Sequence, residues 1–183
     1  MQVQQLNKFQ LPKNFRGKNA FVVQLWWLIQ SLLFKNSPQF MYGFRRFLLR
    51  LFGAKIGKKV LIRPTVRVTY PWKVAIGDYS WIGDDVVLYS LGEIEIGKNV
   101  VISQKSYICT ASHDYLQSDF PIFAKKNTIE DECWLATDVY IAPGVTIGNG
   151  TVIGARSSVY KDIASNKVCV GNPAKIIRER KID

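Results

Sequence analysis

The chain of 183 residues contains one histidine, His113, and three cysteines, Cys109, Cys133 and Cys169. A lone imidazole can take a proton from a hydroxyl near neutral pH, so His113 is a candidate general base. It lies in "ICTASHDY", residues 108–115. Asp114 beside it, or Asp84, could orient the ring, although a solvated carboxylate explains either acid equally well. Cys109, four residues earlier, opens a second chemistry: a Cys–His pair that passes a group through a covalent enzyme intermediate. A single histidine and no CxxC spacing leave no ligand set for zinc, so no metal is expected. The odd cysteine count argues against a disulfide framework and for a reducing compartment.

The elements that must hold His113 follow a rhythm of six. Ile129, Leu135, Ile141, Ile147, Ile153 and Val159 recur at that step, as do Ile56, Ile62, Val68, then Ile76, Ile82, Leu88, then Ile96, Ile102, Ile108. A helix of 3.6 residues per turn would scatter this period around its circumference. Three hexapeptides instead make a three-sided coil, and coils stack at about 4.8 Å, the spacing of paired strands. The pattern predicts an all-β fold: a parallel β-helix of about five coils over residues 54–164, with the aliphatic residues pointing inward. Residues 114–128, directly after His113, break the rhythm and read as a long functional loop. Residues 165–183 read as a turn at Gly171-Asn172-Pro173 followed by a short basic C-terminal helix.

Residues 1–53 form a separate arm. "NAFVVQLWWLIQSLLF" (residues 19–34) and "SPQFMYGFRRFLLRLFG" (residues 37–53) predict two short helices, the first too short to span a bilayer. Charge is strongly uneven. Residues 1–77 carry fourteen Lys and Arg and no acid, whereas residues 78–183 carry eleven cations against fourteen acids. With Trp26 and Trp27 alongside, the arm is expected either to lie on an anionic membrane surface or to pack against the prism or another subunit. No nucleic-acid-binding motif accompanies the charge, so no nucleic acid is expected. The first nineteen residues lack the apolar core of a signal peptide, which predicts a cytoplasmic protein, at the inner face of the membrane if the arm binds it.

The repeats, "ECWLATDVYIAPGVTIGNGTVIGARSSV" and "GNPAK" resemble the hexapeptide-repeat acyltransferases. "KNFRGKNAFVVQLWW", "FLLRLFGAKIGKKVLIRP", "TYPWKVAIGDYSWIGDD" and "SQKSYICTASHDY" extend the resemblance over nearly the whole chain to the colanic-acid biosynthesis acetyltransferases. That resemblance implies a left-handed β-helix, a homotrimer, acetyl-CoA as co-substrate, and transfer to a hydroxyl of a sugar or lipid-linked oligosaccharide in exopolysaccharide synthesis. It also implies His113 as the base, and Thr137, through its N–H, as the donor to the tetrahedral oxyanion. Trp134 would wall the coenzyme site, with Ala136, Ala155 and Arg156 along the pantetheine arm and Lys161, Lys175, Arg178 and Arg180 toward its phosphates. Relatives place an Asn near the acceptor, but "DDVVLYSLG" has none, which leaves Asp84 and Tyr89 as acceptor candidates. The rivals are an acetyltransferase for another small hydroxyl or amine, and an idle scaffold at the membrane surface. A zinc hydratase of the same architecture would need three histidines, and a nucleotidyltransferase an α/β domain for which there is no room.

Overall fold

A computed structural model describes residues 3–181. The first coil comprises β1 (Lys55–Ile56), β2 (Leu61–Ile62) and β3 (Arg67–Val68). The second comprises β4 (Val74–Ile76), β5 (Trp81–Ile82) and β6 (Val87–Tyr89), and the third β7 (Ile94–Ile96), β8 (Val101–Ile102) and β9 (Tyr107–Cys109). A hairpin of β10 (Ala111–His113) and β11 (Ile122–Ala124) then interrupts the winding. The fourth coil is β12 (Asn127–Ile129), β13 (Trp134–Leu135) and β14 (Tyr140–Ile141); the fifth is β15 (Thr146–Ile147), β16 (Val152–Ile153) and β17 (Ser158–Val159). A partial sixth turn follows, with Ile163 bridged to Ile147 and β18 (Lys167–Gly171) on β16. The winding is therefore slightly longer than the five coils the repeats predict.

Each coil contributes one strand to each of three parallel sheets. Ile56, Ile76, Ile96, Ile129 and Ile147 stack in register up the first face. Ile62, Ile82, Ile102, Leu135 and Ile153 stack up the second, and Val68, Leu88, Ile108, Ile141 and Val159 up the third. All fifteen are buried and form the core. Small polar residues in the slots beside the corners bridge successive coils: Ser80 Oγ donates to Gly97 O at 2.7 Å and accepts from Val100 N at 3.0 Å. The stacking is tight enough to require glycine at some of these positions. A Cβ on Gly77 would sit 2.6 Å from the Gly97 carbonyl carbon.

The arm caps the first coil. α1 (Ala20–Ile29) starts at Asn19, whose side chain accepts from Val22 N, and continues as a π-helical turn, Gln30–Phe34. Trp26 Nε1 donates to Val68 O at 2.8 Å, Trp27 Nε1 to Thr69 O at 3.3 Å, and Gln30 Oε1 accepts from Val68 N at 2.7 Å. α2 (Tyr42–Leu51) brings three guanidinium groups to the same open edge. Arg45 Nε donates to Ile62 O at 2.6 Å, Arg46 Nη1 to Val60 O at 2.8 Å, and Arg50 Nη2 to Ile56 O at 2.7 Å. Trp26, Phe34, Leu48 and Leu49 extend the prism core beneath these contacts. Packing against the prism thus accounts for the inner faces of both helices and for three of the arm's cations.

Two expectations fail. The predicted C-terminal helix is instead β19 (Ala174–Glu179), which pairs antiparallel with β18. β18 runs parallel on β16, so the hairpin covers an edge that a helix would leave unpaired. Within the stretch expected as loop at 114–128, Ile122–Ala124 pairs back on Ala111–His113 as the β10–β11 hairpin, and the coil resumes two residues earlier than expected, at Asn127. That buried side chain donates to Cys109 O at 2.9 Å and accepts from Gly144 N at 2.7 Å, which ties the re-entering chain to the coils on either side.

Arg45 is fully buried and also donates to Ser37 Oγ and Pro38 O. Arg45→Ala strands the buried acceptors Ile62 O and Ser37 Oγ and leaves a void. It is expected to lower the unfolding free energy by about 3 kcal/mol or more, measured by urea denaturation. Arg45→Lys recovers only part of this, because an ammonium lacks the guanidinium fork. Arg46→Ala, which removes one bond from a half-buried side chain, costs about 1 kcal/mol.

Candidate active site

His113 ends β10, paired with Ile122 across the hairpin that leaves the prism between its third and first faces. The half-buried ring stacks on Phe120, with centroids 4.2 Å apart and planes 9° from parallel, and Phe9 lies against it at 5.9 Å. Nδ1 is 2.8 Å from the Phe120 carbonyl oxygen. That oxygen can only accept, so Nδ1 carries a proton, and in the neutral ring Nε2 is the nitrogen with the free lone pair. The Phe120 contact and stacking hold the ring in one orientation. The N-terminal segment reinforces the site, with Gln5 N donating to Ser118 O at 2.6 Å and Trp72 Nε1 to Arg16 O at 2.7 Å.

Neither carboxylate expected to orient the ring does so. Asp114 turns into its own loop, where it accepts from Gln117 Nε2 at 2.7 Å and Leu116 N at 3.0 Å. Those two bonds, the Gln117 one foremost, hold its pKa below the ordinary aspartate value. Asp84 lies at a different corner, between the second and third faces, bonded to Arg63 Nε at 2.8 Å and Thr65 Oγ1 at 3.2 Å. The orienting group is therefore a main-chain carbonyl, which no side-chain motif could have revealed. Tyr89, by contrast, does come to the His113 corner. It packs in a cluster with Tyr70, Leu91, Ala111 and Ile122, and burial pushes its phenol pKa up.

Thr137 lies at the same corner as Asp84, two coils further along. Its Oγ1 donates to Gln104 O at 3.1 Å, and its carbonyl accepts from Arg156 N at 2.9 Å. Ala136 and Ala155 share this corner, while the Ala136 N–H is committed to Ile153 O. Arg156 turns the corner in the left-handed region at φ 58°, and its exposed guanidinium is 3.8 Å from the Asp138 carboxylate. Trp134 points outward from the adjoining second face, with Nε1 donating to Ser103 Oγ at 3.1 Å. Trp134, Ala136, Thr137, Ala155 and Arg156 therefore form one continuous strip. Within one chain that strip and His113 stand on opposite sides of the third face.

The tail cations do not gather as one cluster. Lys161 follows β17 at the corner between the third and first faces, whereas Lys175 and Arg178 project from β19. Arg180 is used structurally, with Nη1 donating to Glu132 O and Gly150 O, both at 2.9 Å. A groove of about 560 Å³ on the second face, contiguous with Trp134, is lined by Tyr42, Arg63, Trp81, Asp84, Ser103 and Gln104. Trp81 presents an exposed indole there, a feature the repeat pattern alone did not single out. The three cysteines are buried: Cys109 Sγ lies 3.1 Å from Ala111 O, and burial pushes the Cys133 thiol up to about 11. No group of three His, Cys, Asp or Glu side chains placed to hold a metal occurs among the described residues.

Residues 128–161 match the bacterial transferase hexapeptide (six repeats) family. The chain is 62% identical over 178 residues to the colanic acid biosynthesis acetyltransferase WcaF of Escherichia coli strain K12, covering 97% of this chain and 98% of that one. In structure it is similar to a maltose O-acetyltransferase from Clostridium difficile 630, with a TM-score of 0.82, 28% identity and 90% of each chain covered. It is also similar to a hexapeptide-repeat acetyltransferase from Vibrio cholerae complexed with acetyl coenzyme A, with a TM-score of 0.80, 28% identity, and 91% and 92% of the two chains covered. These likenesses span arm, prism and tail together, and the chain belongs to the colanic-acid biosynthesis acetyltransferases, a branch of the hexapeptide-repeat transferases.

Proposed function

We propose that the chain transfers acetyl from acetyl-CoA directly to a sugar hydroxyl during exopolysaccharide assembly, with His113 as general base. The observation that carries this reading is the Nδ1 contact with the Phe120 carbonyl, which leaves Nε2 as the available proton acceptor. Nε2 takes the hydroxyl proton as the sugar oxygen bonds to the thioester carbonyl carbon. The carbonyl oxygen becomes an oxyanion, held by the Thr137 N–H. Its collapse breaks the carbon–sulfur bond, and the departing thiolate receives the proton from Nε2. The acetyl-CoA complex of the Vibrio cholerae relative supports the donor, and the names of the maltose and colanic acid relatives support a sugar acceptor.

The separation of His113 from Thr137 within one chain supports a homotrimer in which the His113 corner of one copy meets the strip of its neighbour. The coenzyme would then lie along Trp134, Ala136, Ala155 and Arg156, and the sugar in the second-face groove. There the Trp81 indole offers an apolar face for a pyranose, and Asp84 and Arg63 offer an acceptor and donors for its hydroxyls. The same groove explains how a sugar could be bound without the expected Asn.

Thiol release from acetyl-CoA, measured across mono- and oligosaccharide acceptors, tests this reading. His113→Ala should lower kcat about 1000-fold with the thermal unfolding curve unchanged. Cys109→Ala and Asp114→Asn should each stay within about twofold of the parent; a large loss in the cysteine variant would replace direct transfer with a covalent intermediate. Trp81→Ala should raise the acceptor KM roughly tenfold at near-normal kcat. Sedimentation should report three copies of the 20.9-kDa chain.

A further inference from the structure

We propose that the outer face of the N-terminal cap docks on an anionic phospholipid bilayer. The inner faces of α1 and α2 are accounted for by the first coil, through Trp26, Arg45, Leu48 and Leu49. The opposite faces are open to solvent and carry several large apolar side chains, interrupted by Gln24 on α1 and Arg50 on α2. On α1 and its π-helical extension, Phe21, Leu28 and Leu32 are 75%, 55% and 58% exposed, and on α2 Phe47 and Leu51 are 57% and 64% exposed. Phe40, in the connection between the helices, is 79% exposed. Exposed leucine and phenylalanine thus recur along the outward sides of both cap helices and their connection, more than the single apolar residues of an ordinary surface.

Charge identifies the occupant. Arg45, Arg46 and Arg50 are bonded to prism carbonyls, but Lys18 before α1 and Lys35 after its π-helical turn are exposed at the two ends of the helix. No Asp or Glu occurs before Asp78. An apolar strip flanked by lysines and free of acids fits an interface where acyl chains meet anionic headgroups. A second copy of the chain fits poorly, because a self-complementary contact through this face would bring lysines toward lysines with no carboxylate between them. No helix among the described residues is long and apolar enough to cross a membrane, so the contact is one of lying on the surface. Docking here is independent of the acetyl-transfer reading.

Deleting the arm would uncap the first coil, so the test uses point substitutions in the full chain. The protein is sedimented with extruded vesicles of phosphatidylcholine alone or mixed with phosphatidylglycerol, at low and high salt. Binding is expected to the anionic vesicles and to weaken with salt. The double substitution Lys18→Glu, Lys35→Glu should reduce partitioning at least about 25-fold, equivalent to about 1 kcal/mol for each basic side chain removed. The combination Phe21→Ser, Leu28→Ser should abolish it, while far-UV circular dichroism and His113-dependent turnover stay unchanged. Failure of the parent protein to pellet with phosphatidylglycerol vesicles would overturn the proposal, as would parental binding by both variants. A change of oligomeric state in the Phe21/Leu28 variant, without vesicle binding by the parent, would assign the face to protein association instead.

Discussion

An open stack of coils ends in rows of backbone groups with no neighbour, and the rest of this structure depends on how those rows are satisfied. At the lower end, the carbonyls of Ile56, Val60, Ile62, Val68 and Thr69 receive Arg50, Arg46, Arg45, Trp26 and Trp27 in turn. At the upper end, β18 pairs with β16, and β19 folds back over β18. An unpaired polar group buried under either cap would cost as much as a lost hydrogen bond, so both caps are part of the fold rather than additions to it. With both ends closed, the register of every inner coil is held, and each corner residue keeps its height and direction.

The same constraint gives a physical reason for much of the arm's one-sided composition. A guanidinium whose task is to bond carbonyl oxygens at a coil edge is best served when no carboxylate competes for it, since charged hydrogen bonds are the stronger ones. Arg45 shows this most clearly: its bonded partners are carbonyl and hydroxyl oxygens, and no acid is among them. Part of the +14 carried by residues 1–77 therefore belongs to folding, and the exposed lysines are what remains for contact with something outside the chain.

How much of this was legible beforehand follows from what a repeat encodes. A side chain that must point inward every sixth residue leaves its period in the sequence, so all fifteen stacked aliphatic residues could be placed on their faces in advance. The ends of the stack carry no such period. "AKIIRE" could be read as a helix because its role is to cover an edge, and edges are a property of the assembled coil. Asn127 was hidden inside the presumed loop for a related reason: its hydrogen bonds reach Cys109 and Gly144, whose proximity exists only after winding. At the site, His113 stood out as the single imidazole, whereas Asp114 and Asp84 were plausible orienting groups only by residue type.

A carbonyl can replace those carboxylates because of the hairpin's geometry. His113 and Phe120 lie at the two ends of one connection, and close to the register that pairs His113 with Ile122 the Phe120 ring and oxygen come against the imidazole. One residue thus sets both the plane of the ring, by stacking, and its tautomer, by accepting from Nδ1. The carbonyl oxygen, which can only accept, directs the proton of the neutral ring to Nδ1. Orientation then depends on the backbone of a hairpin anchored on the coil by Asn127 and braced from outside by Phe9 and Gln5. The break in the six-residue rhythm is accordingly the means by which a regular prism, whose own corners repeat at every level, acquires one position unlike all the others.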